Sequence, residues 1–169
     1  MDRRPRRAVA PEPVRQLGSV VLARRFKRLA VTLLDGADEA YRAMGIPFEP
    51  RWTSTYQALH RDGPLHVTAL ASLTGLSHPG MIQITRDMMA AGLVEEVPFV
   101  GDARKRVVAL STKGVQLAPK LQAVWTAIAA EQEAIFAAAG CDVLRVLEEV
   151  EAALDARSLA ERLRDRLIV

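Results

Sequence analysis

The sequence predicts a mostly α-helical chain with one small β-hairpin, and three observations lead to this fold class. Apolar residues recur at helical spacing through most of the chain, as in Leu22, Phe26, Leu29 and Leu33. The pattern changes only near residues 93–110, where two short Val-rich runs flank a charged segment. Half of the 169 residues are apolar and a quarter are charged, which is ordinary for a globular protein with a buried core.

The N-terminal part is predicted to be a basic arm followed by a long helix. Residues 1–13 are rich in Arg and Pro, a composition typical of a disordered segment. The helical pattern then covers residues 14–46. We expect this helix to fray or bend near Gly36 and to end near Gly45, before Pro47.

Two short helices are predicted after Pro47. The first begins near Pro50, because proline suits the first turn of a helix, and it ends before the turn Asp62-Gly63-Pro64. The second covers residues 66–74 and ends at Gly75.

A third short helix and the hairpin come next. Ser77 can cap this helix, which is predicted over residues 78–91 and is closed by the glycine that follows. The strands are predicted over 93–98 and 106–110, with a charged tip over 101–105.

Two long helices are predicted to complete the chain. Ser111 or Thr112 can cap the first, Pro119 is expected to bend it, and Gly140 ends it. Asp142 can cap the second, which is expected to run on as one helix. The apolar rows of the terminal helices exceed what a small core would use, so we expect them to cover a partner chain, most simply in a two-fold homodimer.

The positive charge is concentrated in two places. Residues 1–28 carry nine Lys or Arg against two acids, whereas residues 29–100 carry four against eight. A second basic cluster, Arg104, Lys105 and Arg106, lies at the end of the predicted hairpin. Localised basic patches are what phosphate binding needs, although the net charge of the whole chain is only +3.

Several other classes of protein find no support in the sequence. Cys141 is the single cysteine, which excludes an intramolecular disulfide and fits a reducing cytoplasm. Basic residues interrupt the apolar run that a secretory signal would need, and no window approaches the roughly 20 apolar residues of a membrane span. The three histidines, His60, His66 and His78, lack metal-ligand spacing, and no nucleotide-binding or nucleophile motif occurs. We therefore expect no enzyme activity, cofactor, metal or membrane partner.

The order of the middle elements has a functional meaning. A short helix, a glycine turn and a second short helix place that second helix on the surface, where it can enter a DNA major groove about 12 Å wide. A hairpin with cations at its tip can reach neighbouring phosphates or the minor groove. This arrangement is a winged helix-turn-helix.

Five sequence segments in this order and spacing resemble the signature of the MarR family, over about residues 15–160. The segments are GPLHVTALA (63–71), TGLS (74–77), AGLVE (91–95), DAR (102–104) and LSTKG (110–114). The resemblance implies a homodimer joined by the first, fifth and sixth helices. It also implies binding to a short palindromic operator, usually as a repressor, and release by a small phenolic or lipophilic ligand or by an oxidant.

The chain departs from the family pattern in its charges. Family members often carry Arg where this chain has Gln83, and a basic residue where it has Glu95 and Glu96. Within the third short helix, only Arg86 is a cation.

The domain assignment that follows has four segments. They are a disordered basic arm (1–13), an N-terminal dimerisation helix (14–46), a winged helix-turn-helix DNA-binding domain (47–112) and C-terminal dimerisation helices (113–169).

The predicted DNA contacts lie on the helix pair and on the hairpin, or wing. They are Thr68, Ser77, His78, Gly80, Gln83, Thr85, Arg86, Arg104, Lys105 and Arg106. The resemblance implies that Asp102 braces Arg104 without touching DNA. The alternative for the helix is an ordinary exposed helix with an N-cap, and the alternative for the wing is a solvated hairpin tip. The basic arm either lies along DNA or has no fixed role.

Four aromatic residues are candidates for an effector pocket, with plain core packing as the alternative: Phe26, Trp52, Tyr56 and Trp125. Cys141, at the start of a predicted helix, is a weaker candidate for a redox sensor. The sequence thus predicts a sequence-specific DNA-binding transcription regulator, acting as a repressor that a small molecule releases. The alternative is a winged-helix protein-interaction module that has lost DNA binding.

Overall fold

The computed structural model describes residues 9, 11–98 and 106–167, and the chain divides into two compact units, Met1–Val124 and Trp125–Val169. The described helices are α1 (Glu12–Gln16), α2 (Leu22–Ala43), α3 (Thr53–Asp62), α4 (Val67–Thr74), α5 (His78–Ala90), α6 (Thr112–Ala138), α7 (Val143–Ala156) and α8 (Leu159–Leu167). The strands are β1 (Leu65–His66), β2 (Val94–Val97) and β3 (Val107–Leu110). The predicted fold class, mostly α-helical with a small antiparallel wing, is confirmed.

The first long helix is interrupted at Gly18 and not at Gly36. Gly18 has φ +57°, a left-handed conformation that a continuing α-helix does not contain. Gly36 lies inside α2, which is one helix as far as Ala43, so the predicted fraying there was wrong, and the bend expected at Gly36 remains a prediction. The short helix α1 (Glu12–Gln16) also begins inside the segment predicted as a disordered arm. The predicted end is confirmed, since Gly45 follows α2 with φ +63°.

The strands form one antiparallel sheet in the order β1-β3-β2. In its register Val94 lies opposite Leu110, and Leu65 lies opposite Val108. The hairpin of β2 and β3 is where the sequence predicted it, and its tip, 99–105, lies outside the described residues. Strand β1 was not predicted, because a two-residue strand has no periodicity of its own to detect.

An aromatic cluster lies at the centre of the first unit. The ring of Phe48 meets Tyr41, Trp52 and Tyr56 edge-on, with centroids 5.2, 5.7 and 5.6 Å away. All four side chains are at most 4% exposed. Edge-to-face pairs of this kind add to the stability gained from burial, so the cluster fixes α2 and α3 against each other.

The last predicted helix is in fact two helices, α7 and α8. Ser158 and Glu161 form a capping box that starts α8: the Ser158 N–H donates to Glu161 Oε2 (2.8 Å), and the Glu161 N–H donates to Ser158 Oγ (3.3 Å). Hydrogen bonds from Ser158 lower the pKa of Glu161. The cap predicted for α7 is confirmed, since Asp142 Oδ1 accepts the N–H of Arg145 (3.2 Å).

The apolar rows predicted on the terminal helices are exposed in the single chain. On α2 the row includes Phe26, which is 54% exposed, and on α7 it includes Leu147 and Leu154. Pro119 lies inside α6, and the bend expected there remains a prediction. Across residues 9, 11–98 and 106–167, no helix combines the length and apolar character that crossing a bilayer requires.

Candidate nucleic-acid interface

The inner face of α5 is fixed in the core of the first unit. Met81 and Met88 are fully buried and Ile84 nearly so. Thr85 is only 4% exposed, and its hydroxyl donates to the carbonyl oxygens of Met81 (3.0 Å) and Ile82 (3.1 Å). The prediction that Thr85 contacts DNA was therefore wrong, because Thr85 lies one helical turn after Met81 and faces inward with it.

The outer face of α5 and its approach carry the other predicted contacts. Exposed side chains among them are Thr68, Ser77, His78, Gln83 and Arg86. Ser77 Oγ accepts the N–H of Gly80 (3.2 Å) and so caps the helix as predicted. A Cβ on Gly80 would lie 3.1 Å from that oxygen, so the glycine leaves room for the cap.

A left-handed glycine sets the turn between α4 and α5. Gly75 has φ +69°, and the N–H of Leu76 bonds back to the carbonyl oxygen of Ala71 (3.0 Å). This αL ending stops α4 and redirects the chain within three residues, so that α5 can start at His78.

The C-terminal end of α5 is tied to the first turn of α6. Lys113 Nζ donates to the carbonyl oxygen of Ala91 (2.7 Å), and Ser111 Oγ donates to that of Gly92 (2.7 Å). The N–H of Ser111 donates to the carbonyl oxygen of Leu93 (3.0 Å). Three successive carbonyls after α5 thus bond to residues 111–113.

Gly114 completes this joint, and only glycine fits there. A Cβ at Gly114 would lie 2.2 Å from the carbonyl oxygen of Leu93. Its N–H donates to Ser111 Oγ (3.0 Å), and its carbonyl oxygen accepts the hydroxyl of Tyr56 (2.6 Å). Burial raises the pKa of Tyr56, which keeps the phenol neutral and able to donate. The sequence segments AGLVE and LSTKG therefore form one structural joint.

The part of the wing that the structure describes carries one positive and one negative side chain close together. Arg106 Nε lies 2.7 Å from Glu96 Oε1, and both side chains are largely exposed. Arg86, Glu96 and Arg106 line one small cavity of about 50 Å³ between α5 and the sheet. Asp102, Arg104 and Lys105 lie outside the described residues, so their predicted roles are not tested.

Arg51 and Asp87, which the sequence prediction did not include, form hydrogen bonds on the outer face of α5. Gln83 Nε2 donates to Asp87 Oδ1 (2.8 Å), and Arg51 Nη2 donates to Asp87 Oδ2 (2.8 Å). Arg51 Nε also donates to Glu49 Oε2 (2.7 Å), and this hydrogen bond is the main reason that the pKa of Arg51 is raised. The four-residue spacing of Gln83 and Asp87 could have indicated their contact, whereas no local signal pairs Arg51 with Asp87.

Comparison with known proteins finds similarity in structure alone. No protein-family model and no curated protein matches the sequence. The S. aureus MepR–DNA complex is 14% identical with a TM-score of 0.63, covering 81% of this chain and 97% of that one. Reduced AbfR bound to DNA is 16% identical, with a TM-score of 0.63 and coverage of 86% and 98%. A MarR-like protein from Bacillus cereus is 16% identical, with a TM-score of 0.63 and coverage of 85% and 99%.

The chain has the MarR-type winged-helix fold. In this fold α4 and α5 are the helix-turn-helix pair, and β2 and β3 are the wing.

The four residues predicted to line an effector pocket have different surroundings within the winged-helix fold. Trp52 and Tyr56 belong to the buried aromatic cluster, whereas Phe26 is exposed on α2. Trp125 belongs to the second unit. The predicted pocket remains a prediction. Among the described residues, no group of three His, Cys, Asp or Glu side chains could hold a metal ion.

Proposed function

We propose that this chain is a sequence-specific DNA-binding regulator of transcription. The observation that carries the proposal is that α5 has one buried apolar face and one exposed polar face. Its inner face is buried through Met81, Ile84 and Met88, while Gln83 and Arg86 stand exposed on the other side. A helix held in this way presents polar side chains to a major groove. MepR and AbfR, which share the fold, have structures in complex with DNA.

The exposed residues have chemically distinct tasks in this proposal. Gln83 reads a base edge, because a Gln amide matches the donor and acceptor of adenine. Ser77 and His78 lie at the N-terminus of α5, where backbone N–H groups and the helix dipole favour a phosphate. Arg86 supplies a cation to the groove, and Thr68 lies at the start of α4, facing solvent.

The wing supplies the second part of the proposed interface. Arg104, Lys105 and Arg106 contact phosphates or the minor groove, and Asp102 braces Arg104. Arg106 is held by Glu96 in the free protein, so DNA binding must exchange that exposed ion pair for a phosphate. An exposed pair of this kind contributes about 1 kcal/mol or less, which makes the exchange feasible.

We further propose that the protein acts as a two-fold homodimer on a palindromic operator. Exposed apolar side chains at helical spacing lie on α2, including Leu22 and Phe26, and on α7, including Leu147, Val150 and Leu154. Apolar rows of this length on a soluble protein mark interaction surfaces. A two-fold pair would present two copies of α5 to two half-sites.

Repression, and release of DNA by a small-molecule effector, are the finer parts of the proposal. They are supported by the resemblance of the sequence segments to the MarR family. A cytoplasmic site of action belongs to the same proposal, because the proposed DNA target lies there. A reporter gene under the chain's own promoter region, assayed with and without candidate phenolic ligands, tests both parts.

The direct test is fluorescence anisotropy with DNA from upstream of the chain's own gene. We expect a complex that weakens as salt is raised, because phosphate contacts release counterions. Replacing both Arg104 and Arg106 with Ala should weaken binding to all sequences and reduce the salt slope by about two. Arg145→Ala, on exposed α7, is the matched loss of an ion-paired arginine and should change binding little. Absence of a complex at low salt with any genomic fragment would contradict the proposal.

One observation favours a second candidate, a winged-helix module that binds a protein. Around α5 and the wing, carboxylates already pair with cations: Glu49 and Asp87 with Arg51, and Glu96 with Arg106. Such pairing lowers the positive charge available to DNA. Affinity purification that recovers one stoichiometric protein and no enriched DNA would support this candidate.

A further inference from the structure

The carboxylate of Asp87 lies on the face of α5 that is proposed to meet DNA. It lies 25% exposed beside the side chains proposed to meet DNA, where its negative charge opposes phosphate binding. Its two oxygens accept hydrogen bonds from different elements, Oδ1 from Gln83 on α5 and Oδ2 from Arg51, which lies in the 3-10 turn Pro50–Trp52. Both bonds measure 2.8 Å, the length expected for bonds to a charged oxygen.

We propose that Asp87 is a positioning residue that makes Gln83 select adenine. This inference rests on the proposed function. An ionised carboxylate only accepts hydrogen bonds, so the amide nitrogen of Gln83, and not its oxygen, must face Asp87. Arg51 donates to the carboxylate from the other side and also donates to Glu49, so the partner of the amide is bonded to a second element of the fold.

The fixed amide presents a particular pattern to a base edge. One amide hydrogen is used by Asp87, which leaves Oε1 and the second hydrogen of Gln83 available. Adenine offers the N6 amine as donor and N7 as acceptor, matching both groups. Guanine offers two acceptors, O6 and N7, so it would leave Oε1 facing an acceptor. An amide free to rotate could turn both of its hydrogens toward the two guanine acceptors, whereas the bond to Asp87 leaves one hydrogen beside Oε1.

The test separates base preference from overall affinity. Binding of the full chain is measured on a library of duplexes randomised at each position of the bound site, for wild type and for Gln83→Ala. The position that loses its preference in Gln83→Ala is the one that Gln83 reads. We expect wild type to favour an A·T pair there by roughly tenfold or more, as for a bidentate amide contact.

Asp87→Asn is the informative variant, and Glu49→Gln is its matched control. Both replace a carboxylate bonded to Arg51 by an amide of equal size, so both should raise affinity for all sequences at low salt. Only Asp87→Asn lets the Gln83 amide flip, because an Asn side chain both donates and accepts. We expect its A·T preference to fall to about twofold, whereas Glu49→Gln keeps the wild-type value.

Asp87→Glu, which restores the carboxylate, should recover most of the preference. The inference would be overturned if Asp87→Asn kept the wild-type preference for an A·T pair. It would also be overturned if Asp87→Asn and Glu49→Gln lost that preference equally. Should wild type bind DNA with no preference that depends on Gln83, the inference fails while the proposed function stands. Absence of any DNA binding removes both.

A measurement on the wild-type protein without DNA guards against misfolding of a variant. Side-chain ¹⁵N relaxation of the Gln83 amide, assigned by its absence in Gln83→Ala, should report an order parameter close to that of rigid backbone. A value below about 0.6 would mean a freely moving amide and would overturn the inference independently of DNA.

Discussion

Replacing Gly114 with Ala should be the most damaging small change in the first unit. The added Cβ would lie 2.2 Å from the carbonyl oxygen of Leu93, 3.2 Å from its carbonyl carbon and 3.4 Å from the Cβ of Leu110. The nearest atom is backbone, so no side-chain rotation can relieve the clash. Either the first turn of α6 or the start of β2 must move until the contact exceeds 3.0 Å.

The cost of that movement can be estimated from the bonds that it disturbs. Overpacking a tight site costs about 1–3 kcal/mol. The displacement also strains the bond from Ser111 N–H to Leu93 and the bond from Tyr56 to Gly114, each contributing about 1 kcal/mol. The higher helix propensity of Ala offsets about 1 kcal/mol. We therefore expect the free energy of unfolding to fall by about 2–4 kcal/mol, a large part of the ~5–15 kcal/mol typical of a folded protein.

Urea unfolding followed by circular dichroism, at one fixed protein concentration, measures this difference. The control is Gly36→Ala in α2, where an added Cβ meets nothing within 4 Å. That change should stabilise the protein by up to about 1 kcal/mol, so the two Gly-to-Ala substitutions should change the free energy of unfolding in opposite directions. A Gly114→Ala protein whose free energy of unfolding lies within about 0.5 kcal/mol of wild type would show that this position accepts a Cβ and would refute the clash with Leu93.

Three further predictions test other parts of the fold. Tyr56→Phe removes the bond to Gly114 and should lower the free energy of unfolding by about 1 kcal/mol, measured by urea unfolding. Ser77→Ala removes the cap of α5 and should cost about 1 kcal/mol, with amide exchange accelerated in the first turn of that helix. Because Ser158 lowers the pKa of Glu161, the stabilisation of α8 is present above the ordinary pKa of 4.5 and is lost as the pH falls through the lower value of the folded state. Amide exchange in α8 below pH 4.5 checks this, and Glu161→Gln should reduce the pH dependence, leaving the part that comes from the ion pair of Asp165 with Arg157.

The parts of the fold that the sequence predicted well depend on local signals. Gly75 and Ser77 mark the turn and the cap of α5, and the structure shows the left-handed glycine and the N-cap bond that those residue types favour. The hairpin was predicted because the helical spacing of apolar residues gives way near residue 93 to two short Val-rich runs. Each of these signals acts within about four residues, which is the range that a sequence pattern reports.

Two predictions were wrong although the sequence carries local signals against them. Thr85 lies four residues after Met81 and next to Ile84, so helical periodicity places it inside the first unit, and the predicted DNA contact of its hydroxyl was wrong. The Ser158 and Glu161 pair has the spacing of a capping box and marks the break between α7 and α8.

The network around Gln83 could not be predicted from the sequence in the same way. Arg51 and Asp87 are 36 residues apart, and their contact exists only because the 3-10 turn Pro50–Trp52 packs against α5. The sequence showed a recognition helix poor in cations, and this composition alone suggested weakened DNA binding. The structure shows that Asp87 accepts a hydrogen bond from the Gln83 amide. If Gln83 reads a base edge as proposed, low positive charge and high selectivity are compatible at this surface.

The joint between α5 and α6 gives the proposed regulator a physical connection between its parts. Carbonyls of Ala91, Gly92 and Leu93 all bond to residues 111–113, and Gly114 lies against the last of them. The bond to Gly92 is part-buried and Leu93 is fully buried, so breaking either of these bonds would leave a carbonyl with little access to water, and the end of α5 is expected to move with the first turn of α6. If an effector displaces the first turn of α6, we expect this joint to pass the displacement to the end of α5. A variant that loosens the joint without unfolding the chain, such as Lys113→Met, should therefore weaken the effector's influence on DNA binding more than it weakens DNA binding itself.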